Sequence, residues 1–178
     1  MSKNIYLLDS DTLISASRNF YSFDICPGFW DSLIKGHNEG RIKSIDKVKK
    51  EIEEGNYEDH LKKWIHSNIP NSFFCSTDNK DVIAKFGLLV NWAENQPQFH
   101  RYAKTKFMSD KADAWLIAYA LSFSEIEKWI VCTFEKYEPT VKKKVKIPNV
   151  CKAFNVDYED AYFMLRDLQT RLILEQQI

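Results

Sequence analysis

The chain's architecture turns on Ile5-Tyr6-Leu7-Leu8-Asp9-Ser10-Asp11-Thr12-Leu13-Ile14. Its first four residues are an apolar run flanked by polar ones, the pattern of a buried strand. Asp9-Ser10-Asp11-Thr12 follows, where a strand hands over to a helix, with Thr12, Ser10 or Asp11 as the expected cap of Leu13 to Ser17. A carboxylate directly after an apolar strand is partly buried, and a buried carboxylate demands a partner.

Beyond that stretch, helical and strand patterns alternate. Pro27 suits the first turn of a helix whose apolar face carries Phe29, Trp30, Leu33 and Ile34, and which Gly36 or Gly40 ends. Ile42 and Ile45 mark a brief strand. Asp46 is the expected cap of Lys47 to Glu54, with Val48 and Ile52 on its inner face, and Gly55-Asn56 breaks that helix. Leu61, Trp64 and Ile65 mark another, stopped by Asn68-Ile69-Pro70. Phe73, Phe74 and Cys75 fit a short strand or buried loop. Helical spacing returns from about Asp78 to Glu94, and Pro97 ends it. Asp110 to Phe123 is the clearest helix, with Ala114, Ile117, Ala118 and Leu121 three and four apart. Trp129 to Cys132 reads as a strand. Pro148 opens a helix with Val150, Cys151 and Phe154, and Asp157 is the expected cap of a long final helix carrying Ala161, Met164, Leu165 and Leu168. This order predicts an α/β layer fold with a short parallel sheet and many helices. Residues 1–178 read as one domain.

Composition excludes several classes. At 178 residues the chain is long enough for a sizeable core. Lys plus Arg equals Asp plus Glu, 25 each, so bulk charge makes no case for nucleic acid, although a local patch is not excluded. No apolar run approaches the ~20 residues of a membrane span, and the run before Asp9 is too short for a signal peptide, so a cytoplasmic, non-membrane protein is expected. Cys26, Cys75, Cys132 and Cys151 form no C-x-x-C pair and read as reduced thiols. His60 and His66 lie six apart, a poor spacing for one metal-binding helix face. Neither G-x-x-x-x-G-K-[ST] nor G-x-G-x-x-G is present.

Several acidic residues stand at element ends. Asp9 closes the first strand, and ligand sites in open α/β sheets lie beyond the carboxyl ends of strands. Glu51 lies in the Lys47-to-Glu54 helix. Asp110 and Asp113 are three apart at the start of their helix, and Glu135 follows the Trp129-to-Cys132 strand. Carboxylates gathered in one place repel one another without a cation. Mg²⁺ and Mn²⁺ prefer oxygen ligands, and two such ions activate water and neutralise a phosphodiester under attack. The plainer alternative is that Asp110 and Asp113 only favour a helix N-terminus, while Glu51 and Glu135 face solvent.

The chain resembles the PIN-domain nucleases, and more closely a PIN-like branch of uncharacterised bacterial proteins. Tyr6 to Ile14 matches the family's opening strand and first acidic residue. Glu51 follows at the spacing of its glutamate, Asp113-Ala114-Trp115-Leu116-Ile117-Ala118-Tyr119-Ala120 matches its third acidic motif, and Ile130-Val131-Cys132-Thr133-Phe134-Glu135 matches its strand and Thr-x-Asp, with Glu for Asp. The resemblance covers Ile5 to about Leu168. It implies a three-layer PIN-like fold, with a C-terminal extension from about residue 138. It also implies a metal-dependent endoribonuclease hydrolysing RNA phosphodiester bonds with one or two Mg²⁺ or Mn²⁺ ions, the toxin of a toxin–antitoxin pair. Asp9, Glu51, Asp113 and Glu135 would be catalytic and metal-binding, Asp110 a further ligand, and Asp11 and Thr133 auxiliary. The implied partners are RNA, a cognate antitoxin protein and a second copy of the chain. The alternatives are a nuclease acting on DNA or structured RNA, and a catalytically silent PIN-like protein that binds RNA or a partner protein.

Substrate phosphates need cations. Lys104 and Lys106 precede Asp110 and are expected to flank the site, with Lys50 a further contact among several surface lysines and the Lys142-to-Lys146 run. Trp115, beside the acidic turn, is expected to wall the pocket.

Overall fold

The computed structural model describes residues 3–55, 59–109 and 111–173. Its centre is a five-stranded parallel sheet in the order β3-β2-β1-β4-β5. The strands are β1 (Asn4–Leu8), β2 (Ile42–Ile45), β3 (Phe74–Cys75), β4 (Lys128–Cys132) and β5 (Asp157–Glu159). Tyr6, Leu7, Leu8, Ile42, Ile45, Val131 and Cys132 have no exposed surface. Burial on both faces explains why these strands read as continuous apolar runs rather than alternating ones.

Helices cover the sheet to make three layers. They are α1 (Ser10–Ser15), α2 (Pro27–Asn38), α3 (Asp46–Glu54), α4 (Asp59–Asn68), α5 (Lys80–Glu94), α6 (Arg101–Met108), α7 (Ala112–Phe123), α8 (Ile147–Phe154) and α9 (Ala161–Asp167). A π-helical turn, Ala16–Phe20, continues α1, and a 3₁₀ turn, Asn71–Phe73, leads into β3. The three-layer α/β architecture with a parallel sheet is the one expected from the sequence. Among the described residues no helix is long and apolar enough to cross a membrane.

Local details differ from expectation, each for a physical reason. The first helix starts at Ser10, and Asp9 precedes it without a side-chain capping bond, because its carboxylate is turned elsewhere. Asp46 is the first residue of α3 rather than its cap. Its carboxylate accepts from Lys47 N at 2.8 Å, from Thr77 N at 3.1 Å and from Thr77 Oγ1 at 2.8 Å, tying α3 to the segment after β3. Gly36 lies inside α2, and the chain turns at Gly40, whose φ of 71° favours glycine. Asp157 begins an edge strand, and α9 is a short helix capped by Asp160, whose Oδ1 accepts from Phe163 N at 3.0 Å. Helix α6 was not anticipated.

The amino end of β1 is secured by charge. Asp167 Oδ2 accepts from the buried Tyr6 hydroxyl at 2.8 Å, from Asn4 Nδ2 at 3.1 Å and from Arg41 Nη2 at 2.5 Å. These donors hold the Asp167 carboxyl below its ordinary pKa despite partial burial.

Candidate functional site

Strand β1 is the middle of the sheet. The chain proceeds outward from it through β2 and β3 on one side, then returns to build β4 and β5 on the other. At such a reversal the connections after the two central strands diverge, leaving a crevice at their carboxyl ends. Leu8 lies opposite Cys132, so β1 and β4 end level. Cys132 O accepts from Asp9 N at 3.0 Å and from Thr12 Oγ1 at 2.9 Å, and Leu8 O accepts from Ser44 Oγ at 2.7 Å. These bonds tie the ends of β1, β2 and β4 and the start of α1 together beneath Asp9.

Asp9 is 2% exposed. Thr133, just past β4, donates its hydroxyl to Asp9 Oδ2 at 3.0 Å and accepts from Glu135 N at 3.2 Å. Ser10 Oγ lies 3.1 Å from Glu51 Oε2 and 3.4 Å from Asp9 Oδ1, so its hydroxyl links α3 to the end of β1. Asp113 stands in the first turn of α7. Asp9, Asp11, Glu51, Asp113 and Glu135 line one cavity of about 360 Å³, together with Lys106, Lys111 and Lys144.

The electrostatics follow from this crowding. Burial raises the Asp9 carboxyl well above its ordinary pKa. The charges of Asp113 and Glu135 add to the rise, and the Thr133 hydrogen bond opposes it. Asp113 is pushed up to about 6, first by burial and then by Glu135 and Glu51, with Lys144 and Lys111 pulling the other way. For Lys144, burial favours the neutral amine, but Asp113 and Glu135 outweigh it and raise the pKa.

Glu135 has both oxygens engaged. Oε2 accepts from Ile147 N at 2.8 Å, at the start of α8, and Oε1 pairs with Lys144 Nζ. Lys144 Nζ is also 3.9 Å from Asp113 Oδ2. The methylene that distinguishes Glu135 from Asp is thus used to grip the segment between β4 and α8.

The remaining sequence-predicted residues divide. Asp11 lines the cavity and accepts from Ser15 Oγ at 2.9 Å. Lys106 lines it too, whereas Lys104 directs Nζ to Glu94 O at 2.6 Å, outside the lining. Lys50 is exposed on α3 and is not part of the lining. Trp115, two residues after Asp113, faces away on α7 and stacks on Phe86 with ring centroids 3.9 Å apart. Asp110 lies outside the described residues. Ser10, Lys111 and Lys144 are cavity residues that sequence reasoning did not single out. Lys144 was visible only as one of several lysines in a basic run.

The donor set is all oxygen and suits a hard divalent cation such as Mg²⁺ or Mn²⁺. Asp9 bears on that fit most directly, because it is a buried carboxylate that feels the charges of Asp113 and Glu135 and takes one short hydrogen bond, from Thr133. Among the described residues no three His, Cys, Asp or Glu side chains already stand close enough together to hold a metal ion.

A protein-family model described as "Domain of unknown function (DUF4411)" matches residues 6–172. No curated protein and no solved structure matches the chain. The fold is generically PIN-like, a parallel sheet flanked by helices, without a direct match to the PIN nucleases.

Proposed function

The chain belongs to the DUF4411 family, whose description assigns no activity, and we propose that it is a metal-dependent endoribonuclease that hydrolyses RNA phosphodiester bonds. The observation that carries this reading is that five carboxylates, from the ends of β1 and β4 and from α1, α3 and α7, line one cavity at the reversal of the sheet. Burial and neighbouring carboxylates raise the pKa of Asp9 and of Asp113, a cost that a bound cation would relieve.

Asp9 and Asp113 would hold Mg²⁺ or Mn²⁺, with Glu51 and Glu135 completing the set and Asp110 a further ligand. When bound, such an ion supplies a water activated for attack and neutralises the phosphodiester's charge. The protein's own groups do the rest. Thr133 orients the Asp9 carboxylate, Ser10 holds Glu51, and Lys106 and Lys111 draw the polyanion to the cavity mouth. The resemblance to PIN-like toxins extends the proposal to a cytoplasmic toxin restrained by an antitoxin, with a second copy of the chain as a further partner.

One observation favours a second reading. Lys144 already neutralises Glu135, as it would in a catalytically silent protein that binds RNA or a partner protein. A cleavage assay with RNA and single-stranded DNA, in Mg²⁺, Mn²⁺ or chelator, separates the two. The nuclease reading expects metal-dependent cleavage of RNA that Asp9→Asn abolishes while circular dichroism stays unchanged. Metal-independent cleavage, no cleavage, or equal cleavage by the variant defeats it.

A further inference from the structure

We propose that a second pocket, lined by Trp92, Phe99, Tyr137 and Lys152, takes an unpaired base of the RNA strand whose backbone enters the acidic cavity. The inference rests on the ribonuclease reading above and deepens it by adding a base-stacking subsite beside the carboxylates.

The pocket's size and lining define what it can hold. Its volume is about 250 Å³. Pockets that take whole drug-sized ligands span roughly 300–1,000 Å³, so this one suits part of a larger ligand. The Trp92 ring meets Phe99 edge-on, with centroids 6.2 Å apart, and Phe154 at 5.8 Å. Tyr137 is 39% exposed, and Lys152 Nζ stands 4.2 Å from its ring centroid. Among the described residues Lys152 is the one charged member of the lining, and no carboxylate joins it. Every base has a π-face and travels with a phosphate. Rings beside an unopposed cation therefore match a nucleotide better than a cationic or purely apolar ligand.

The pocket is held open by hydrogen bonds and adjoins the acidic cavity. Asn149 Oδ1 accepts from Glu138 N at 3.3 Å and its Nδ2 donates to Glu138 O at 2.8 Å, pinning the chain after Tyr137 to α8. Gln98 Nε2 donates to Val141 O at 3.2 Å, and His100 N to Lys142 O at 2.9 Å, fastening the same stretch to the chain before α6. The two hollows share these walls. The stretch after β4 lines the cavity at Glu135 and Lys144, and the pocket at Tyr137 and Pro139. The chain into α6 lines the pocket at Phe99 and the cavity at Lys106. Glu135 and Tyr137 are two residues apart, which puts their Cα atoms within about 7 Å. A strand engaged in the cavity thus passes close to Tyr137, and unpaired bases splayed from such a strand stack on aromatic side chains.

Fluorescence anisotropy with two labelled probes tests this, a ten-nucleotide single-stranded RNA and a strand of the same length and backbone that lacks its bases. Ca²⁺ is present to offset the cavity's carboxylates. The wild type is expected to bind the RNA more tightly than the baseless strand. Tyr137→Ala should weaken RNA binding roughly 5- to 150-fold, the loss of one base–aromatic stack, and bind the baseless strand as the wild type does. Tyr137→Phe, which keeps the ring, should match the wild type on both. Undiminished RNA binding by Tyr137→Ala, or equal weakening on both strands, overturns the proposal. So does equal wild-type affinity for the two strands, which decides even where Tyr137→Ala does not fold. Absence of RNA binding by the wild type overturns it too, and is the result a partner-protein occupant would give. Failure of the nuclease reading registers separately, as absence of metal-dependent cleavage by protein that still prefers the RNA to the baseless strand.

Discussion

Thr133 Oγ1 donates to Asp9 Oδ2 at 3.0 Å, joining the residue after β4 to the residue after β1 across the sheet's reversal. Among the described residues this is the one short hydrogen bond to a carboxylate that is 2% exposed, so it sets the direction in which the other Asp9 oxygen points. Groups that orient a metal ligand in this way typically matter by 10–100-fold. Thr133→Val is therefore expected to weaken Mn²⁺ affinity and RNA cleavage by roughly 10–100-fold, and Thr133→Ser to restore both. Equal Mn²⁺ isotherms for Thr133→Val and wild type would show that Asp9 needs no orientation.

Asp113 yields a pH signature in metal-free protein. Its carboxyl is raised from 3.8 to about 6 by burial and by neighbouring carboxylates. A raised carboxyl favours folding fully below the unfolded pKa, and that advantage is lost as pH rises through the folded value. Stability should thus fall from about pH 4 to about pH 6, by up to about 3 kcal/mol at 1.36 kcal/mol per unit. Urea unfolding across that range measures it. Asp113→Asn should flatten the decline, and Mn²⁺ should stabilise more at pH 7 than at pH 5, because ligands must deprotonate to bind metal. A wild-type profile that rises with pH in this window would remove Asp113 as the source.

How far the sequence could be read depends on the kind of signal each feature leaves. Strands β1 and β4 are legible because both faces are buried, which demands unbroken apolar runs such as Ile5 to Leu8. Asp9, Glu51, Asp113 and Glu135 are legible as candidates because each sits at or near an element end that the periodicity marks. Strand β5 is Asp157-Tyr158-Glu159, an edge strand with no apolar run, and so resembles a helix cap. Helix α6 buries only Ala103 and Phe107, a single four-residue interval without a repeating stripe. Missing it left Lys104 and Lys106 looking equivalent, whereas a helix sends side chains two apart in divergent directions. The Glu135–Lys144 pair bridges nine residues through irregular chain, a spacing no periodicity flags.

Two helical glycines should respond oppositely to alanine. In α5, a Cβ at Gly87 meets nothing within 4 Å, so Gly87→Ala should stabilise by up to about 1 kcal/mol through helix propensity. In α2, a Cβ at Gly36 would lie 2.6 Å from Ile42 Cδ1 and 2.8 Å from its Cγ1. Ile42 has no exposed surface, so it has no open space into which to move. Overpacking of about 1–3 kcal/mol then matches or exceeds the propensity gain, and Gly36→Ala should be neutral to destabilising by about 2 kcal/mol. Thermal unfolding of both variants checks the contrast. A stabilised Gly36→Ala would mean that α2 can slide away from β2.

Lys106 and Lys104 separate substrate binding from scaffolding. Lys106 lines the acidic cavity, so its charge adds to the field a phosphodiester meets there. Lys104 instead donates to Glu94 O at 2.6 Å, closing the carboxyl end of α5 onto α6. Each phosphate contact contributes roughly 0.7 to the slope of log affinity against log salt for a single strand. Lys106→Ala should therefore weaken RNA binding and reduce that slope by about one contact's worth. Lys104→Ala should leave the slope unchanged and cost about 1 kcal/mol of stability through the lost hydrogen bond. Fluorescence anisotropy of labelled RNA across a salt series reads the first effect, and denaturant unfolding the second. If Lys104→Ala lowers the salt slope and Lys106→Ala does not, RNA approaches over the α5–α6 junction and not through the cavity mouth.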